Sequence, residues 1–266
     1  MTEKTTVFDD LAADSAELAS LVTYLTPAGW AELTPAPKWT IRHQIAHLCA
    51  VFRMAATAAA SPQAFRELAA HLGPDFNANV TAALERFLDE PEALLGRWRV
   101  ESAAAVQALA AVPAGTVVPW LVRPLPAPVL AAAGMMEIFA HGQDVADALG
   151  VTRRHTDRLR HIAEFAALTW DFGYQARSLP APARAPRFDL LAPSGDRWII
   201  GADDAETVTG DAVDLCLLVT RRRHRDDLGL VASGPLAEQW LDVAQAYRGP
   251  AGEGRRPGQF AATAGR

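Results

Sequence analysis

The sequence predicts a mainly α-helical chain: a helical bundle over residues 1–177, a small α+β domain over 187–248, and a tail, 249–266, without fixed structure. Three observations carry this reading. Apolar residues recur at helical spacing through most of the first two-thirds. The Pro-rich stretch Ser178–Pro186 then interrupts any periodic pattern. Beyond it the apolar runs shorten and alternate with turn signals, as strands and short helices do. With 266 residues, half of them hydrophobic, the chain can bury a sizeable core in one large domain or two smaller ones.

Each element follows from local signals. Phe8, Leu11, Leu18, Leu21, Val22 and Leu25 make the apolar stripe of a first helix, which Pro27-Ala28-Gly29-Trp30 breaks. A Pro-rich link, Thr34–Lys38, leads to Trp39 and to Thr40, the N-cap of a second helix over Ile41–Ala60. Gln44 lies one residue past the capping-box position, so no box is expected there. A short helical piece, Ala64–Leu72, ends at Gly73-Pro74, and a third helix follows Asp75 to about Leu88. Pro91–Ala110 is the fourth, with Leu94, Leu95, Trp98, Ala105 and Leu109 facing inward. Val112–Pro128 reads as an ordered loop anchored on Trp120. The fifth helix, Val129–Leu149, stops at Gly150, a suitable C′ residue, and a sixth spans Thr156–Arg177. In the C-terminal part, Phe188–Ala192 and Trp198–Ile200 flank the turn Pro193-Ser194-Gly195-Asp196 as a hairpin. Thr207–Gly210 and Leu228–Ala232 read as strands, Asp211–Arg221 and Pro235–Tyr247 as helices.

Composition narrows the function classes. A net charge of −6 argues against nucleic acid or an anionic membrane as the main partner, with Arg221-Arg222-Arg223-His224-Arg225 a local exception. The 2 cysteines, Cys49 and Cys216, make neither a disulfide framework nor a Cys-rich zinc site. Cys49 reads as a buried, inert thiol. The N-terminus has no signal-peptide pattern, and the longest apolar run, Pro128–Ala140, is too short to span a membrane and contains Glu137. The expectation is a soluble, cytoplasmic protein acting on a small molecule.

Two stretches carry chemistry: Trp39-Thr-Ile-Arg-His43-Gln-Ile-Ala-His47-Leu48 and Glu137-Ile-Phe-Ala-His141-Gly-Gln-Asp144. Glu137 and His141, four apart on one helix, present a carboxylate and an imidazole on the same face. His43 or His47, with the same spacing, could complete a His/His/Glu set that leaves one position open for water or substrate. Such a pair also occurs as a plain surface pairing. The apolar or small neighbours of Glu137 and His47 favour an interior site, because polar groups buried there need partners or a metal. Asp144 and Asp147 could accept from an imidazole N–H or could be ordinary solvent-facing acids. Trp30, Trp39, Trp98 and Trp120 read as core and loop anchors.

The order of a helix, a Pro-rich link, Trp39-Thr40-x-x-x-x-x-Ala46-His47-Leu48 and then Glu137-x-x-x-His141 resembles the DinB-like superfamily, in its mycothiol-dependent maleylpyruvate isomerase branch. The run Glu137–Gly150 looks like an actinobacterial subgroup of metal-binding proteins in that branch. The resemblance covers nearly the whole chain. It implies a four-helix bundle holding a divalent metal, usually zinc, on His47, Glu137 and His141, with His43 outside the set, and a sterol-carrier-like C-terminal domain. It also implies a low-molecular-weight thiol, mycothiol, as cosubstrate, and a C-terminal arginine near the site, for which Arg222 is the candidate. The alternative for Arg221–Arg223 is a cationic helix end that complements the dipole.

The expected function is thus a metal-dependent thiol transferase or isomerase acting on a small electrophile, as a monomer or homodimer. A thiol-independent hydrolase, lyase or cyclase on the same scaffold, and a non-catalytic metal- or ligand-binding protein, remain open at this point.

Overall fold

Thr6 begins the first helix by a reciprocal cap: its hydroxyl accepts from the Asp9 N–H at 3.3 Å, and the Asp9 carboxylate accepts from the Thr6 N–H at 2.9 Å. The computed structural model describes residues 6–121 and 123–260, and the chain divides into two compact units, 1–153 and 154–266.

In the first unit the helices are α1 (Val7–Val22), α2 (Pro27–Trp30), α3 (Ile41–Ala60), α4 (Pro62–Ala70), α5 (Phe76–Glu85), α6 (Pro91–Ala110) and α7 (Ala127–Leu149). The four long ones, α1, α3, α6 and α7, form a bundle: α1 and α3 each pack against both α6 and α7. Leu11, Leu18 and Val22 of α1 meet Ile41, Ile45, Leu48 and Phe52 of α3, Leu94 and Trp98 of α6, and Leu130, Met135 and Ile138 of α7 in one buried core. Each such side chain contributes roughly 1.5–3 kcal/mol of apolar burial. Trp98 is locked from two sides, its indole N–H donating to the Ser15 carbonyl at 3.2 Å and its ring meeting Phe52 edge-on at 4.9 Å. Buried Glu101 of α6 accepts from the Arg53 guanidinium, which ties α6 to α3. Most of α7 is buried, which explains its nearly continuous apolar sequence. The helix ends as the sequence predicts, at Gly150 in the left-handed region with φ 64°.

Between α6 and α7 the expected loop contains a minimal hairpin, β1 (Val117–Val118) antiparallel to β2 (Leu125–Pro126). Trp120 anchors it by stacking on Phe65 at 5.6 Å. Among the described residues no helix is long and apolar enough to cross a membrane.

The second unit holds α8 (Leu159–Leu168), α9 (Phe172–Gln175), β3 (Arg187–Leu191), β4 (Arg197–Ile200), β5 (Thr207–Asp211), α10 (Ala212–Val219), β6 (Val231–Ala232) and α11 (Pro235–Val243). The sheet order is β4-β3-β5-β6, with β3 antiparallel to β4 and parallel to β5. Phe188, Leu190, Trp198 and Val208 are buried, while alternate strand positions face outward. Trp240 of α11 packs on Phe188 at 5.1 Å. Glu206 fills the start of α11, its carboxylate accepting the N–H groups of Leu236 at 2.7 Å and Ala237 at 2.8 Å.

Several expected boundaries change for identifiable reasons. The helix expected over Thr156–Arg177 is broken into α8 and α9, and both lie in the second unit. Thr169 ends α8 by bonding its hydroxyl back to the Phe165 carbonyl at 2.8 Å, and the chain turns so that Gly173 meets the Val243 backbone. The strand expected over Leu228–Ala232 pairs only at Val231–Ala232, because the Gly229 N–H bonds to the Asp214 carboxylate at 2.7 Å instead of a ladder partner. The expected closing helix stops at Val243. The tail expected to lack fixed structure is in contact up to Phe260: the Gly258 N–H donates to Asp227 at 2.7 Å, and the Arg223 guanidinium sits 3.9 Å from the Phe260 ring centre. Residues 261–266 lie outside the described residues.

A Cβ added to Gly173 would fall 1.8 Å from the Val243 carbonyl oxygen, so backbone must move to admit one. Gly173→Ala is expected to cost about 3 kcal/mol, read as a lowered midpoint in thermal unfolding of the C-terminal unit. An unchanged midpoint would contradict this packing.

Candidate metal centre

α3 packs against α7, and that contact brings together the two stretches singled out from the sequence. His47 projects from α3; Glu137 and His141 project from α7, one turn apart. One ligand atom from each lies within 4.8 Å of the others. The Glu137 carboxylate is 3.3 Å from His141 Nε2 and 3.6 Å from His47 Nε2, and the imidazole centroids are 4.5 Å apart. The side chains are 12%, 23% and 13% exposed for His47, Glu137 and His141, so the cluster is sheltered but reachable.

These spacings fit a cation. Ligand atoms about 2.0–2.1 Å from a tetrahedral zinc ion stand about 3.3 Å from each other, close to the two nitrogen–oxygen distances here. Two imidazoles and one carboxylate form a donor set that zinc accepts with a fourth position open. Burial alone would raise the Glu137 carboxyl, but hydrogen bonds to His141 and His47 and their charges outweigh it and hold the group well below the usual carboxylate range. The site therefore keeps an anion facing two nitrogen donors.

The outer sides of the two imidazoles differ. His141 Nδ1 lies 2.5 Å from Gln44 Oε1. The Gln44 amide nitrogen donates to Thr34 Oγ1 at 2.8 Å and faces Asp144 Oδ2 at 3.5 Å, with Gln44 and Asp144 both fully buried. His47 Nδ1 is buried and has no hydrogen-bond partner among the described residues. Trp39 closes one side, stacked on His141 at 5.9 Å and 21° and tilted over His47 at 5.3 Å. The loop that carries it is clasped by Thr34, whose N–H and hydroxyl both donate to the Trp39 carbonyl, at 2.8 and 2.9 Å.

Two expectations change here, for the start of α3 and for Asp144. His43 belongs to the helix start: its Nδ1 accepts from the Thr40 N–H at 3.2 Å and hydroxyl at 2.7 Å, making the capping box expected to be absent. Burial, with the Arg42 charge beside it, lowers the His43 pKa, which suits an acceptor nitrogen. Asp144 stands behind Gln44, which itself occupies the acceptor position on His141. Trp39 is a loop anchor that also walls the cluster. The sequence points to Gln44 only as a residue next to the capping-box position, with no link to His141. The available signal was a glutamine three residues before a candidate ligand, on the same helix face and next to apolar neighbours.

Both cysteines are buried thiols. Burial, with the Glu101 charge adding to it, pushes the Cys49 thiol up to about 12, and burial alone raises Cys216 further. Arg222 lies in the second unit, in the turn that ends α10. There Arg221 takes φ 59°, and the N–H groups of Arg221 and Arg222 return to the Leu218 and Leu217 carbonyls at 2.8 Å each. The Arg222 guanidinium donates to the Thr220 carbonyl at 2.6 Å.

Comparison with known proteins agrees with the helical bundle. The model of the mycothiol maleylpyruvate isomerase N-terminal domain matches residues 11–146, which include all three clustered side chains. Two uncharacterized proteins of Mycobacterium tuberculosis, from strains CDC 1551 / Oshkosh and ATCC 25618 / H37Rv, are each 44% identical over 249 residues, covering 92% of this chain and 96% of theirs. The crystal structure of the mycothiol-dependent maleylpyruvate isomerase, and that of a histidine-to-alanine mutant of it, superpose with a TM-score of 0.53 at 16% identity, over 86% of this chain and 96% of those. At that identity the likeness speaks for the fold. The chain belongs to the mycothiol maleylpyruvate isomerase N-terminal domain family.

Proposed function

We propose that this protein is a metal-dependent enzyme that uses mycothiol, or a similar small thiol, to transfer to or isomerise a small electrophilic substrate. The observation that carries the reading is the convergence of His47, Glu137 and His141, with both nitrogen–oxygen separations close to the edge of a zinc tetrahedron. These three side chains would hold the ion. Bound there, a divalent ion, zinc by preference, would stabilise a thiolate at the open position.

The chain's own residues support an external thiol. Cys49 and Cys216 are buried with raised pKa values, so the reacting sulfur has to come from a cosubstrate. Membership of a family named for mycothiol and maleylpyruvate supports this thiol and an isomerisation of that type. Trp39 shields the two imidazoles on one side and limits water at the cluster. Arg222 is proposed to recognise a carboxylate of the substrate through its planar fork of donors.

Three outcomes follow from this reading. Zinc titrated into metal-free protein should bind with a stoichiometry of about one, and His141→Ala should weaken it by more than the roughly 10–100-fold that loss of an outer partner costs. Protein that binds no metal in calorimetry would end the proposal. Turnover of maleylpyruvate should require added mycothiol and survive Cys49→Ala; turnover without any thiol would favour a hydrolase, lyase or cyclase. Arg222→Ala should lower kcat/KM by about 10–100-fold, the size of one charged hydrogen bond of about 1.5–3 kcal/mol. Unchanged kinetics would remove Arg222 from the site.

A further inference from the structure

The orientation of one backbone carbonyl fixes which nitrogen of His141 carries its proton. The Trp39 carbonyl can only accept, and it lies 2.9 Å from the Thr34 hydroxyl. The single hydroxyl proton of Thr34 is therefore directed at Trp39, and Thr34 presents a lone pair to its other neighbour, Gln44, at 2.8 Å. That lone pair requires the NH₂ end of the Gln44 amide. Asp144 makes the same demand independently, since its carboxylate also faces the Gln44 nitrogen, at 3.5 Å. With its nitrogen so committed, Gln44 turns its oxygen to His141 Nδ1 at 2.5 Å. An amide oxygen only accepts, so Nδ1 carries a hydrogen, and Nε2 is the nitrogen that faces Glu137, 3.3 Å away, free to bind a cation once any proton it shares with the carboxylate has left.

We propose that Gln44 is the positioning residue of the metal centre, and that Thr34 sets the direction in which it acts. Gln44 holds His141 in the one tautomer and ring orientation that can donate from Nε2. Thr34 joins the loop carrying Trp39 to the same amide, so the aromatic wall and the ligand are set as one unit. Among the described residues His47 Nδ1 has no such partner. His141 is thus the preset imidazole of the pair. Facing lone pairs on His141 Nε2 and on the Glu137 carboxylate repel unless a cation or proton lies between them. A cation bound in the cluster would take the place of that proton, with Nδ1 still held by Gln44.

This inference rests on the metal reading, and its test separates the two. Cobalt(II) binding by metal-free protein would be measured by optical titration for the wild type, Gln44→Leu, Thr34→Val and Thr34→Ser. Gln44→Leu keeps the volume without the acceptor and should weaken binding about 10–100-fold. Thr34→Val should weaken it less and in the same direction, and Thr34→Ser, which keeps the hydroxyl, should match the wild type. Wild-type affinity in Gln44→Leu, or equal loss in Thr34→Ser and Thr34→Val, would overturn the proposal. In parallel, proton NMR of the metal-free protein should show a His141 Nδ1 proton protected from exchange in the wild type and lost in Gln44→Leu. If the wild type binds no cobalt, the metal reading fails. The NMR signal still decides the role of Gln44: its persistence in Gln44→Leu refutes that role.

Discussion

The packing of α3 against α7 is the constraint from which the site follows. His47 meets Glu137 and His141 only in one rotational setting of the two helices, with Ile45, Leu48 and Ile138 buried around them. A helix turned by one residue moves a side chain by about 100°, enough to carry His47 out of the seam. The apolar core that stabilises the bundle is also what aims the three donors. The Arg53–Glu101 pair and the Trp98–Ser15 hydrogen bond brace α3 and α1 against α6. They limit how far the helices carrying the donors can slide.

The polar groups in this seam form a connected set. Gln44 and Asp144 are fully buried, and the amide bonds in three directions, to His141, Thr34 and Asp144. Buried polar groups of this kind are costly unless satisfied, and here their bonds run toward a single imidazole. The anionic Glu137 between two imidazoles gives the opposite, inner side of the cluster an affinity for positive charge. Scaffold and site thus share the same hydrogen bonds: Thr34 closes the loop of Trp39 and also directs Gln44.

Much of this was legible in the sequence because it depends on local rules. The four long helices follow from apolar spacing, the end of α7 from Gly150, and the hairpin at Pro193–Asp196 from its turn residues. The three clustered side chains stood out through their four-residue spacing and apolar neighbours. What stayed hidden depends on distant partners. The break between α8 and α9 accompanies the approach of Gly173 to the Val243 carbonyl, seventy residues further on. Gln44 carries no charge and fits no ligand pattern, and its hydrogen bonds appear only when α7 and the Thr34 loop converge on it. His43 had the ligand spacing but is used at the helix start, a place where glutamate or glutamine is the familiar partner.

The proposed site holds one metal ion on His47, Glu137 and His141. The most direct measurement is an anomalous difference map at the zinc edge from crystals of the zinc-loaded protein. One strong peak is expected, about 2.0–2.2 Å from His47 Nε2, His141 Nε2 and a Glu137 carboxylate oxygen. A peak bound elsewhere, or no peak between these three side chains, would contradict it.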